Sequence, residues 1–176
     1  MRAFVVVTTI LGVLLASSAG AAQNQIPPDF RVIAHFGSGH IPVTYDDPAR
    51  GQIGAWYVRL DAHGVAKVEV FRNSPGKKTK TSVRYSAAEL QRIKNVIADS
   101  RFFELPAWLN GGLSDVPGYS LEVTMGGKTH KVGVIAPGAF RDKKLLKRFT
   151  SVWVAVCSKM PPKLDDGVTR DLQERS

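Results

Sequence analysis

The chain has 176 residues, a formal net charge of +9, 44% hydrophobic residues and a single cysteine. One cysteine excludes a fold built on internal disulfide bridges. Once a leader is removed, about 150 residues remain, which is enough for one ordinary domain with its own hydrophobic core.

The first 22 residues have the organisation of a cleavable secretory signal peptide. Arg2 precedes an apolar run over residues 3–16, and small residues follow, with Ala21 and Ala22 at the expected cleavage position. The run is shorter than the roughly 20 apolar residues of a spanning helix, so no transmembrane segment is expected after cleavage. We therefore expect a periplasmic or secreted protein, with an uncleaved anchor as the alternative.

The composition divides the rest of the chain into three parts. Residues 23–53 contain four prolines and three glycines, which indicates an irregular leader with one strand at residues 30–36. Residues 54–157 carry the regular patterns of an α+β domain. Residues 158–176 are charged and almost without apolar residues, which predicts a disordered tail.

A hairpin, an edge strand and a helix open the domain. Residues 55–60 and 65–71 alternate and flank a turn in which Gly64 supplies positive φ and Asp61 bonds the backbone two residues on. The lysine-bearing residues 79–85 resemble an edge strand. Ser86 and Glu89 form a capping box. The following helix has an apolar stripe of Leu90, Ile93, Val96 and Ile97.

A second hairpin and a second helix complete the domain. Residues 119–125 and 129–135 pair across Gly126-Gly127, and residues 141–157 form a helix. Its core-facing stripe contains Leu145, Leu146, Phe149, Val152, Trp153 and Val156. Cys157 is expected to pack with this stripe, and the alternative is a reactive or intermolecularly paired thiol. The predicted fold class is α+β, an antiparallel sheet built from two hairpins plus extra strands, with two helices packed on one face.

Several short motifs resemble a bacterial family of exported domains whose function is unassigned. They are the turn at Gly64, the helix start at Ser86, Phe102-Phe103-Glu104-Leu105, and Asp115-Val116-Pro117-Gly118-Tyr119. The similarity covers roughly Trp56 to Cys157. It implies the same fold and an exported location, and it implies no activity.

Asp115 and Tyr119 are the candidate ligand-binding residues, because a carboxylate and an aromatic ring flank a rigid proline turn. The favoured interpretation is structural, with Asp115 as a turn initiator and Tyr119 as a first strand residue. No catalytic or cofactor motif stands out. His35, His40, Asp46 and Asp47 could be written as a metal set, but no helix or hairpin fixes them in a tetrahedral arrangement, so surface positions are favoured. His63 and His130 are expected to face solvent.

Clusters of lysine and arginine are the one feature of the sequence that exceeds chance. We predict an anion-binding surface formed by Lys143, Lys144, Lys147, Arg148, Lys128 and Lys131. Outside a cytoplasm it would meet an anionic envelope component or a protein partner, since nucleic acid is scarce there. The alternative is a solvated basic face.

The leading functional hypothesis is a non-catalytic binding module that contacts an anionic polymer, a membrane surface or a protein. One alternative is a periplasmic hydrolase that uses Asp115 with a histidine. Another is a small inhibitor or chaperone-like module that presents the strand at residues 77–81.

Overall fold

The computed structural model describes residues 25–38, 53–72 and 78–160. The predicted signal peptide and most of the predicted tail, with His40, Asp46 and Asp47, lie outside the described residues. The strands are β1 (Arg31–Gly37), β2 (Ile53–Asp61), β3 (Val65–Arg72), β4 (Lys78–Arg84), β5 (Trp108–Asn110), β6 (Gly118–Met125) and β7 (Lys128–Ile135). The helices are α1 (Ala87–Asp99) and α2 (Lys143–Cys157), with a 3₁₀ turn at Phe102–Glu104.

The strands form one seven-stranded sheet in the order β4-β3-β2-β1-β6-β7-β5. Every pair is antiparallel except β5 with β7, which is parallel. The strand predicted inside the irregular leader is β1, and it pairs with both β2 and β6 at the centre of the sheet. Residues 25–38 therefore belong structurally to the same domain as the two hairpins.

Alternation along the strands separates two faces of the sheet. On β2, Trp56, Val58 and Leu60 are buried, whereas the residues between them are only partly buried or exposed. Both helices cover the buried face: the Trp153 ring of α2 lies 5.2 Å from the Trp56 ring and 5.5 Å from the Tyr119 ring. The predicted α+β class is confirmed.

Side-chain caps set the N-termini of both helices. The capping box at Ser86 and Glu89 is present, as the sequence predicts. The second helix begins at Lys143, two residues later than predicted, because the Asp142 carboxylate accepts from the amides of Lys144 and Leu145. The predicted stripe of α2 is buried apart from Leu145, and Cys157 is buried with it.

Gly64 makes the first hairpin possible for two reasons. Its φ is +77°, a conformation that residues with a side chain rarely adopt. A Cβ at this position would also lie 2.3 Å from the carbonyl oxygen of Tyr85. The turn also receives the predicted bond from the His63 amide to Asp61 Oδ1, at 3.0 Å.

The structure differs from the sequence analysis at two places near the second hairpin. Trp108–Asn110 forms the edge strand β5, which the sequence analysis does not predict. His130 was expected to face solvent, yet its Nε2 lies 2.8 Å from the Leu105 carbonyl oxygen and its ring meets Phe102 edge-on. Both arise because the chain after the 3₁₀ turn folds back along β7.

Within residues 25–38, 53–72 and 78–160, no helix combines the length and apolar character that crossing a bilayer requires.

Candidate functional site

The sheet face opposite the helices, called the open face below, carries most of the charge of the strands. Seven cationic side chains lie on it: Arg31, Arg59, Lys67, Lys78, Lys80, Arg84 and Lys131. Three carboxylates share it: Asp61, Glu69 and Glu122. Six spacings of about 4.8 Å between neighbouring strands make this face about 29 Å wide.

Strand register aligns one row of side chains across all seven strands of the open face. The row runs Lys80, Glu69, Tyr57, His35, Ser120, Gly133, Trp108. Its members come from distant parts of the sequence and meet only because β1 lies between β2 and β6. The neighbouring row contains three small residues side by side, Ala55, Gly37 and Gly118.

Aromatic rings form a ridge on one half of the open face. The rings of His35 and Tyr57 stack with centroids 4.3 Å apart, and Phe71 meets Tyr57 edge-on at 5.7 Å. Arg59 lies 5.6 Å from the centroid of Tyr57, and Lys78 lies 4.9 Å from that of Phe71. These cation–π contacts hold two positive charges beside the ridge.

Trp108 lies on the other half of the open face. A Cβ on Gly133 would be only 2.4 Å from Cζ3 of Trp108, so the indole rests directly on the glycine backbone. Despite this contact, 62% of Trp108 is exposed. One face of the indole therefore covers β7 while the remainder is accessible to a ligand.

A shallow trough lies between the ridge and Trp108. Its floor is β6, where Gly118 and Ser120 carry little or no side chain, and its walls are the rings of His35 and Trp108. Three strand spacings, about 14 Å, separate β1 from β5, and the indole leans one strand inward. The opening is therefore about 10 Å, or two strand spacings.

Ion pairs neutralise two of the three carboxylates on the open face. Glu69 lies 2.8 Å from Lys78, 3.6 Å from Arg59 and 3.9 Å from Lys80, and Glu122 lies 3.5 Å from Arg31. The hydrogen bond from Lys78, followed by the charges of Lys78, Arg59 and Lys80, lowers the pKa of Glu69. The cations outnumber these acids, so the face keeps a positive excess.

His35 is the titratable group on the wall of the trough. Burial in the first place, and the positive charge of Lys131 in the second, hold the pKa of His35 below its ordinary value of 6.5. The imidazole is therefore neutral near pH 7. A neutral imidazole has one donor and one acceptor nitrogen, as binding to a hydroxyl group requires.

The predicted basic residues of α2 form a second surface, on the helical layer. Lys144, Lys147 and Arg148 line a groove of about 470 Å³ between α1 and α2, and Asp99 also lines it. Arg148 is already engaged, since its Nε and Nη2 donate to the carbonyl oxygens of Ser100 and Arg101 at 2.6 and 2.7 Å. This arginine caps the C-terminus of α1, which leaves the two lysines as the groove's accessible cations.

The remaining predicted site residues are divided among different places. Tyr119 is 4% exposed and packs against Phe36 and Trp153, so its ring belongs to the core. Asp115 is exposed in the preceding loop, with φ of +59°. Lys128 is exposed at the start of β7, whereas Lys131 lies on the open face. The predicted anion-binding set is thus split between the two sides of the sheet.

Sequence reasoning missed the aromatic residues of the open face. The signal was present in the strand phase, because Tyr57 and Arg59 alternate with the core residues Trp56 and Val58. Among the described residues, no three His, Cys, Asp or Glu side chains are grouped so as to hold a metal ion.

No model of a known protein family matches the chain, and no curated protein matches its sequence. The class defined by the fold is that of an α+β domain with a two-helix layer on one side of a seven-stranded sheet. The open face and the helical groove are its candidate binding surfaces.

Proposed function

We propose that this protein is an exported, non-catalytic binding module that holds an anionic polymer of the cell envelope against the open face of its sheet. The exported location rests on the signal-peptide pattern, with which the motif similarity to exported bacterial domains of unassigned function agrees. The binding role rests on the surface chemistry of the described residues.

The observation that carries the proposal is the positive excess on the open face of the sheet. Lys67 and Lys131 lie on it in the same row as the Arg59 and Glu122 positions, and neither makes an ion pair among the described contacts. A surface with cations distributed over several strands matches a chain of regularly spaced negative charges better than it matches one small anion. An extended polymer is therefore the favoured ligand class.

Binding of dextran sulfate, with neutral dextran as the control, tests the proposal. Because the contact is electrostatic, affinity should fall steeply as added salt shortens the Debye length to about 8 Å and below. Neutral dextran should bind at no salt concentration. Absence of dextran sulfate binding at low salt, or binding that salt does not weaken, would contradict the proposal.

Two double variants test which of the two basic surfaces binds the polymer. The variant with Lys67→Gln and Lys131→Gln should bind dextran sulfate about tenfold more weakly, as expected when two exposed charge contacts are lost. The matched variant, with Lys144→Gln and Lys147→Gln, removes the same charge from the helical groove and should change affinity by less than about twofold. The reverse result would place the polymer on α2. Binding to anionic vesicles but not to dextran sulfate would favour a membrane surface instead.

A further inference from the structure

We propose that the polymer is an acidic polysaccharide and that the trough between His35 and Trp108 binds its sugar rings. This inference rests on the proposed function and adds the ligand class. In the proposed complex the indole of Trp108 stacks on the apolar face of a pyranose ring, and Lys131 pairs with a sugar carboxylate. His35 and Ser120 bond the hydroxyl groups.

Trp108 is the residue that points to a sugar. It is one of two large hydrophobic residues that are mostly exposed among those described, the other being Leu113, at 54%. Its indole lies flat on Gly133 and turns the opposite face outward over the trough. The C–H groups of a pyranose carry partial positive charge, which the negative face of an aromatic ring attracts.

The floor and opposite wall supply the polar contacts that sugars require. Ser120 presents a hydroxyl group from β6 between the two walls, and Gly118 leaves room beside it. The lowered pKa of His35 keeps its imidazole neutral, so it can donate to one hydroxyl group and accept from another. Tyr57 stacks behind His35 and fixes the orientation of its ring.

The cations next to the trough explain why the sugar should be acidic. Lys131 on β7 pairs with Glu122, in the open-face row next to that of Ser120, and its charge acts on His35. Arg31, on the other side of β6, lies at 3.5 Å from Glu122. Because Glu122 pairs with Arg31, Lys131 is left to pair with a carboxylate on the sugar.

The geometry favours a polysaccharide over single-stranded nucleic acid. A nucleic-acid platform stacks successive bases on several accessible rings. Here the rings of His35 and Tyr57 stack on each other and Arg59 lies over Tyr57, which leaves Trp108 as the exposed ring of the described part of the face. One stacking ring above a hydroxyl-binding floor matches sugar units better than bases.

The experiment compares three polyanions at equal charge concentration: polygalacturonate, inorganic polyphosphate, which has no rings, and oligo-deoxythymidine. The full protein should bind polygalacturonate most tightly. Trp108→Ala should weaken that binding about five- to tenfold, the effect of one lost aromatic contact, and leave polyphosphate binding unchanged. Trp108→Phe should restore most of the affinity. Leu113→Ala, which removes another mostly exposed hydrophobic side chain outside the sheet, should have no effect.

The outcomes distinguish the stacking role, the sugar assignment and the proposed function from one another. The denaturation midpoint of every variant is measured alongside, to show that each variant is folded. Equal losses for polygalacturonate and polyphosphate in Trp108→Ala would overturn the stacking role and leave the indole as a cover for Gly133. Tighter binding of oligo-deoxythymidine, sensitive to Trp108, would overturn the sugar assignment in favour of nucleic acid. If dextran sulfate also fails to bind at low salt, it is the proposed function that fails; if it binds and polygalacturonate does not, only this inference fails.

Discussion

The carboxylate of Asp29 accepts hydrogen bonds from both amides of the Gly126-Gly127 turn, with Oδ1 at 3.0 Å from the Gly126 nitrogen and Oδ2 at 2.6 Å from the Gly127 nitrogen. The Gly127 bond is the leading cause that lowers the pKa of Asp29. Asp29 immediately precedes Phe30 and β1, so one side chain fastens the central strand to the hairpin that pairs with it. The contact spans almost a hundred residues of sequence and fixes the register of β6 against β1.

Gly127→Val is expected to destabilise the protein although the position is exposed. The φ angles of Gly126 and Gly127 are +59° and +74°, and a Cβ at either position would meet nothing within 4 Å. The effect is therefore backbone strain alone, about 1–3 kcal/mol in the free energy of unfolding for a β-branched residue.

Chemical denaturation of three proteins measures that strain: wild type, Gly127→Val, and Gly127→Asn as the control. Asparagine tolerates the left-handed region, so its midpoint should stay near that of the wild type. An unchanged midpoint in Gly127→Val would contradict the turn geometry.

Local sequence patterns were sufficient to predict both hairpins and both helices. The hairpin turns need glycine at positive φ and the first helix needs its capping box, and these requirements act over a few residues. The order of the strands, in contrast, depends on pairing between distant segments. That residues 31–37 enter the sheet between β2 and β6 depends on pairing with segments about 25 and 90 residues away, for which the sequence of β1 contains no local sign.

The candidate site was harder to predict for the same reason. His35, Tyr57, Ser120 and Trp108 come together only through the register of five strands, including the parallel pair β5–β7. The lysines were visible in the sequence, but the assignment of Lys131 to one face and Lys144 to the other required the strand phase and the helix packing. The sequence could not show that Arg148 is already engaged, because its hydrogen bonds to the Ser100 and Arg101 carbonyl oxygens join residues that are almost fifty positions apart.

Glu89→Gln is expected to remove part of the pH dependence of stability. A hydrogen bond from Lys159, followed by bonds from Ser86, lowers the pKa of Glu89 to about 2, from an ordinary value of 4.5. A carboxylate with a lowered pKa in the folded state stabilises the protein above pH 4.5, and that contribution is lost as the pH falls towards 2. The variant should therefore be less stable than wild type at pH 7, with a difference that shrinks below pH 4.5.

Urea midpoints measured from pH 7 to pH 2 check this expectation. Glu122→Gln serves as the control, since it removes a partly exposed carboxylate whose ion pair, with Arg31, is 3.5 Å long. A difference between Glu89→Gln and wild type that stays constant over the whole range would show that the carboxylate charge is not what stabilises the start of α1.

Trp153 is buried on α2 and Lys147 is exposed on it, so their substitution tests how that helix packs. Trp153 is fully buried, with its ring near those of Trp56, Tyr119 and Phe149. Trp153→Ala should lower the free energy of unfolding by about 3–5 kcal/mol through lost burial and the cavity left behind. Lys147→Ala should change it by no more than about 0.5 kcal/mol, because that residue is exposed.

A third variant separates ring packing from hydrogen bonding. The indole nitrogens of Trp153 and Trp56 are buried and have no hydrogen-bond partner among the described residues. Trp153→Phe keeps an aromatic ring and removes an unsatisfied donor, so its loss should be well below that of Trp153→Ala. Equilibrium unfolding in urea at neutral pH gives all three values. Equal small losses for Trp153→Ala and Lys147→Ala would mean that α2 does not pack its aromatic stripe against the sheet, because no buried indole can be removed without leaving a cavity.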